Sequence, residues 1–185
     1  MTLKSEIEAW DGQSLAALRR IHERHWNEPN LALELADLLG SLRCRRAAAR
    51  ILKRHFEAGL TVRDPPGVAR RLFARLAKLE HWESRLDILQ CLPYLPIEEK
   101  EAEAVAGFLR ACLADANRFV RAWAYSGFHD LARRHPRFAA AAQEILSAGL
   151  RKEPASVKSK IRECLGMEGL GLTTENTEST EKSKD

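Results

Sequence analysis

Apolar residues recur three and four positions apart along most of the chain, and helix breakers interrupt them at short, fairly even intervals, which predicts a succession of amphipathic helices. Leu15, Leu18 and Ile21 begin one stripe, and Leu31, Leu35, Leu38 and Leu39 make a second that stops at Gly40. Ala47, Ala48, Ile51, Leu52 and Phe56 form a third, ending near Gly59. Asp64-Pro65-Pro66 starts a fourth, because an aspartate can cap orphan amides and a first turn does not need the N–H groups that prolines lack. Val68, Leu72, Phe73, Leu76 and Leu79 follow it. Trp82, Leu86, Leu89, Leu92 and Leu95 run up to the breakers Pro93 and Pro96, and Ala102, Val105, Ala106, Leu109 and Leu113 lead to an Asp115-Ala116-Asn117 turn. Val120, Trp123, Ala124, Phe128 and Leu131 are the clearest stripe, stopped by His135-Pro136. Phe138, Ala142, Ile145 and Leu146 lead to Gly149, and Val157, Ile161 and Leu165 follow Pro154. The pattern predicts an all-α chain of about nine helices joined by short loops.

Composition agrees with this pattern. Among the 185 residues, Ala and Leu outnumber Val and Ile about fourfold, so helix formers far exceed the β-branched residues that favour sheets. Charges interrupt every hydrophobic run before it reaches the roughly 20 residues of a membrane span. Glu6, Glu8 and Asp11 stand where a signal peptide would be apolar, so no membrane association and a cytoplasmic location are expected. Cys44, Cys91, Cys112 and Cys164 are widely spaced, which suits buried thiols better than a zinc site or a disulfide scaffold. From Leu172 to Asp185 the chain is almost wholly Thr, Ser, Glu, Lys and Asp, the composition of a disordered polar tail, so the folded domain is expected over residues 1–171.

A period of 36 to 37 residues runs through the helices. Val120-Arg121 is matched 37 residues on by Val157-Lys158, and Arg85 precedes Arg121 by 36, with Ile88, Leu92 and Leu95 in register. Arg45, in CRRAAARILKRHF, falls in the same Arg column. With Asp115 before the turn and the Val-Arg step after it, residues 27–168 resemble the HEAT-repeat group, a HEAT/armadillo-like helical-repeat family. The resemblance implies an α-α superhelix, a helical-repeat solenoid whose second helices, about residues 43–58, 82–95, 118–134 and 155–165, line a concave binding side. It also leaves two roles open for the column of arginines: a structural ladder joining neighbouring turns, or contact with a partner.

The net charge of +4 is unevenly spread: residues 41–80 carry +8 and residues 121–160 carry +5, while the remaining blocks are each −3. Arg46, Arg50 and Arg54 share one helix face at i, i+4, i+8, clear of the Ile51/Leu52 stripe. With Arg70, Arg71 and Arg75 on the next helix, and Arg118 and Arg121 further on, they are either a solvated basic face or a surface suited to an acidic protein segment or to nucleic-acid phosphates.

No GxSxG, GxxxxGK[ST] or HExxH motif occurs, and no cofactor or metal is expected. His22 and His25 can share a helix face but lack a third ligand in the sequence nearby. A partial resemblance to HEAT-like alkylpurine DNA glycosylases rests on EHWESRLDIL, with Trp82 and Asp87, and on Arg121, 34 residues beyond that aspartate. It would imply a catalytic Asp87 supported by Arg121 and Trp82, although core packing is the plainer role for Trp82 and Trp123. The expected function is a non-catalytic scaffold for a macromolecular partner, protein or nucleic acid. A base-excision enzyme and an accessory subunit of a larger complex are the alternatives.

Overall fold

Among the described residues there are ten α-helices and no strand: α1 (Leu3–Glu8), α2 (Leu15–His25), α3 (Leu31–Leu38), α4 (Arg45–Glu57), α5 (Pro65–Phe73), α6 (Trp82–Cys91), α7 (Glu99–Leu113), α8 (Arg118–Arg134), α9 (Ala139–Lys152) and α10 (Ala155–Cys164). The structure is a computed structural model that describes residues 1–166, so the expected polar tail lies outside it.

Local chemistry sets most of the helix starts. Ser14 accepts a hydrogen bond from the Ala17 amide to cap α2, Asp64 accepts from the Gly67 amide ahead of α5, and Asn117 accepts from the Phe119 amide at the start of α8. Glu98 and Glu101 form a reciprocal capping box on α7. The prolines act as anticipated: α6 ends at Cys91 in a 3-10 turn containing Pro93, and α8 ends ahead of Pro136. The stripe expected over residues 65–79 is instead α5 followed by a separate 3-10 turn, Leu76–Lys78. The tenth helix is α1, whose six residues carry only Leu3 and Ile7 as buried apolar positions, too few for a period to show.

The helices pack in two series. Each even-numbered helix from α2 to α10 touches the next even-numbered one, while α3, α5 and α7 follow one another alongside. Between the series lies a continuous core in which Leu35, Leu39, Ile51, Leu52, Leu72, Ile88, Leu89, Leu109 and Phe128 are almost wholly buried. Cys44, Cys91 and Cys112 are buried in it, as expected, whereas Cys164 on the last helix is half-exposed. Burial pushes the Cys112 thiol up to about 12, which keeps it an inert packing group.

A smaller cluster of Ala122, Tyr125, Leu146, Val157 and Ile161 joins α8, α9 and α10. Gly149 makes that approach feasible, since a Cβ there would sit 2.7 Å from both Ile161 Cδ1 and Tyr125 Cε1. Gly149→Ala is expected to cost about 1–2 kcal/mol in urea denaturation, the range of an overpacked core site. An unchanged midpoint would show that α9 shifts without penalty.

Candidate functional site

The second helices expected from the repeat are α4, α6, α8 and α10, and the column arginines of the first three make a ladder between turns. Arg45 Nε donates to the Leu39 carbonyl at 2.9 Å and its Nη1 donates to the Lys78 carbonyl at 2.5 Å. Arg85 repeats this with the Leu79 carbonyl at 2.7 Å and Asp115 at 2.8 Å. Arg121 repeats it again with the Asp115 carbonyl at 2.9 Å and Glu153 at 3.0 Å. Each guanidinium thus binds the carbonyl six residues earlier and reaches the turn before the next even-numbered helix. The planar fork of Arg, with five donors in a fixed geometry, serves two turns at once.

A second set of ion pairs crosses from α4 to α6. Arg46 binds Glu83 through Nε at 3.1 Å and Nη2 at 2.5 Å, and Arg50 Nε donates to Asp87 Oδ2 at 2.7 Å. Lys53 Nζ lies 4.0 Å from Asp87 and 3.6 Å from Glu57. Only 2 % of the Asp87 side chain is exposed. Burial pushes its carboxyl above the ordinary range, while the charges of Arg50 and Lys53 oppose that rise.

Over these pairs lies a cleft. The connection between α1 and α2 supplies one wall, with the Trp10 indole held by a hydrogen bond from Nε1 to the Ser14 carbonyl at 2.9 Å and the Arg46 guanidinium 5.8 Å from the ring centre. A cavity of about 240 Å³ lies among Trp10, Gln13, Arg46, Arg50, Glu83 and Asp87. A neighbouring one of about 190 Å³ lies along α2 and α4 among Leu15, Arg19, Arg50, Lys53, Arg54 and Glu57. Arg50, Leu15 and Leu18 line both. Family models, curated proteins and solved structures were all compared with the chain, and none matches.

The remaining sequence-predicted residues are dispersed. Arg71 and Arg75 both engage Asp37 on α3, whereas Arg46 and Arg50 engage Glu83 and Asp87 on α6, so the two groups expected on one surface pair with acids of different helices. Arg54 is exposed with no carboxylate partner among the described residues. Arg118 is likewise exposed and lies over the Phe119 ring at 5.0 Å.

Asp87 and Arg121, which the glycosylase resemblance would bring to one site, are held by Arg50 and by Glu153 respectively. Trp82, for which core packing was expected, is 40 % exposed at the first position of α6, with its ring centre 6.1 Å from that of His81. Trp123 is half-buried, with Lys160 Nζ 4.7 Å from its ring centre. His22 and His25 do not converge: His22 Nε2 meets His55 Nδ1 at 3.3 Å, while His25 lies between Glu6 and Glu28.

Sequence reasoning did not single out Trp10 or Glu83 as parts of this site. A signal for Glu83 was present: Glu83 and Asp87 repeat the i, i+4 spacing of Arg46 and Arg50 at an offset of 37 residues, one repeat period.

Proposed function

We propose that the chain is a HEAT-like α-α superhelical module that binds a protein partner through the exposed side of its second helices and catalyses no reaction. The supporting observation is the repeated arginine ladder, in which Arg45 and Arg85 through Nε and Arg121 through Nη1 donate to a carbonyl six residues earlier, and each makes a second bond to the next turn. A device that fixes the spacing of successive helix pairs serves a surface extended over several of them, as in repeat arrays generally.

Charge favours protein over duplex nucleic acid as the partner. Of the arginines expected on the basic face, Arg46, Arg50, Arg71, Arg75 and Arg121 spend their charge on carboxylates of the same chain. Arg54, Arg70 and Arg118 keep theirs among the described residues, which is too sparse a set for the row of phosphate contacts that duplex binding rests on. Exposed Trp82 and Phe119, in the first turns of α6 and α8, add the aromatic character typical of protein interfaces.

Affinity capture from native lysate, with and without nuclease, tests this reading. A captured protein should survive nuclease and be lost with the Arg54→Glu/Arg118→Glu double variant. Capture that depends on nucleic acid, or that persists in the double variant, would overturn it.

A further inference from the structure

We infer that the cleft between α2, α4 and α6 is a binding site for a small organic phosphate monoester, with Arg50 as the central anion-binding group and Asp87 as its positioning residue. Arg50 uses Nε on Asp87, and its Nη1 and Nη2 have no acceptor among the described residues. Arg46 uses Nε and Nη2 on Glu83 and keeps Nη1. Each guanidinium is therefore anchored along one edge and retains N–H donors beside a cavity it lines. A guanidinium fixed this way loses little freedom when it meets an oxyanion, and its flat array of donors matches phosphate oxygens. The buried Asp87 carboxylate holds Arg50 in place, and Lys53 adds a second cation 4.0 Å from the same carboxylate.

Charge and shape narrow the ligand. The two cavities are lined by five cations, Arg19, Arg46, Arg50, Lys53 and Arg54, against three carboxylates, Glu57, Glu83 and Asp87. The surplus of two positive charges suits a phosphate monoester, which carries about −1.5 to −2 near neutral pH, better than a single carboxylate. Arg19 and Arg54 are exposed and have no carboxylate partner among the described residues. Trp10, Leu18 and Leu15, the last 60 % exposed, provide an apolar wall that inorganic phosphate would leave unused. The ligand is thus a phosphate carried on an aromatic or aliphatic body small enough for these cavities. This site is independent of the scaffold reading, since it is tested on the purified chain with small molecules.

Isothermal titration of the full chain at pH 7.5 and low salt with phenyl phosphate, phenylacetate and inorganic phosphate tests the assignment. Phenyl phosphate should bind at least fivefold more tightly than either of the others, the first comparison reading the second charge and the other reading the apolar wall. The Arg19→Ala/Arg54→Ala variant changes only exposed side chains and should weaken phenyl phosphate at least fivefold with an unchanged circular dichroism spectrum. Asp87→Asn, which keeps the shape but loosens its hold on Arg50, should reduce the preference for phosphate over carboxylate. No measurable binding of phenyl phosphate, a preference below fivefold, or full affinity in the Arg19→Ala/Arg54→Ala variant would each overturn the proposal.

Discussion

An Arg50→Met variant is expected to lose about 3 kcal/mol of stability at pH 7, the cost of breaking a buried ion pair from one side. Asp87 is the reason. Its side chain is 2 % exposed, Arg50 provides its one close hydrogen bond among the described residues at 2.7 Å, and Lys53 stands further off at 4.0 Å. Removing the guanidinium leaves a buried carboxylate facing a distant ammonium, and burial already raises its pKa. Arg50 itself is about one-third exposed, so the reverse change is milder, because an unpaired Arg50 can turn to water. The Arg50→Met/Asp87→Leu double variant is therefore expected to return to within about 1 kcal/mol of the parent, since apolar replacement of a whole buried pair is often neutral. Urea denaturation of the parent, both single variants and the double variant completes the cycle. Equal losses in Arg50→Met and in the double variant would show that Asp87 is not the group left stranded.

Stability is also expected to fall by about 2 kcal/mol between pH 7 and pH 5 through the histidine pair that joins α2 to α4. His22 Nε2 and His55 Nδ1 are 3.3 Å apart, and both side chains are buried. Burial, then the neighbouring His55 and Arg54, lowers the His22 pKa to about 4, with only Glu23 opposing. Burial lowers that of His55 as well, against a backbone hydrogen bond to Thr61. Both folded-state values lie below the ordinary 6.5, so between the two values the unfolded chain binds more protons than the folded one. The stabilisation is complete above pH 6.5 and is lost as pH falls toward 4. A shift from 6.5 to about 4 corresponds to about 3 kcal/mol when fully expressed, about 2 of which are lost by pH 5. Denaturation curves at pH 7 and pH 5 read the difference, and His22→Phe should remove most of it. A pH response that survives in His22→Phe would place the effect at another group that titrates in this range, such as His55, whose pKa burial also lowers.

The pH response concerns the attachment of the first two helices, because α1 packs on α2 and α2 on α4. α2 closes the cleft with Leu15, and the connection between α1 and α2 closes it with Trp10. Acid loosening of the His22–His55 contact therefore acts on a wall of the proposed phosphate site, and affinity measurements belong at or above pH 7.

Helix content, most helix boundaries and the arginine column were legible in the sequence. Of the stripe Val120, Trp123, Ala124, Phe128 and Leu131, all but the half-buried Trp123 are wholly buried on α8, and the Asp64-Pro65-Pro66 start caps α5 as its chemistry requires. The short helix α1 was not legible, because six residues span less than two helical turns and show no period. The surface position of Trp82 was not legible either. Its spacing to Leu86 and Leu89 fits the apolar stripe, but as the first residue of α6 it lies beyond the cover of the neighbouring helices.

The basic face divides sequence from structure most sharply. A count of charges along the chain marks residues 41–80 as the most cationic stretch, and the i, i+4, i+8 spacing places Arg46, Arg50 and Arg54 on one side of α4. Which of these charges is neutralised depends on the acids that other helices bring to them. Glu83 and Asp87 arrive from α6, Asp37 arrives from α3 for Arg71 and Arg75, and Arg54 receives none among the described residues. By itself the sequence determined the helices, their period and the arginines of the ladder, because backbone periodicity and capping act over a few residues. Only the tertiary structure decided which arginines are spent in ion pairs and which line a cleft, because Coulombic pairing acts over a few ångströms in space between residues more than thirty positions apart in the chain.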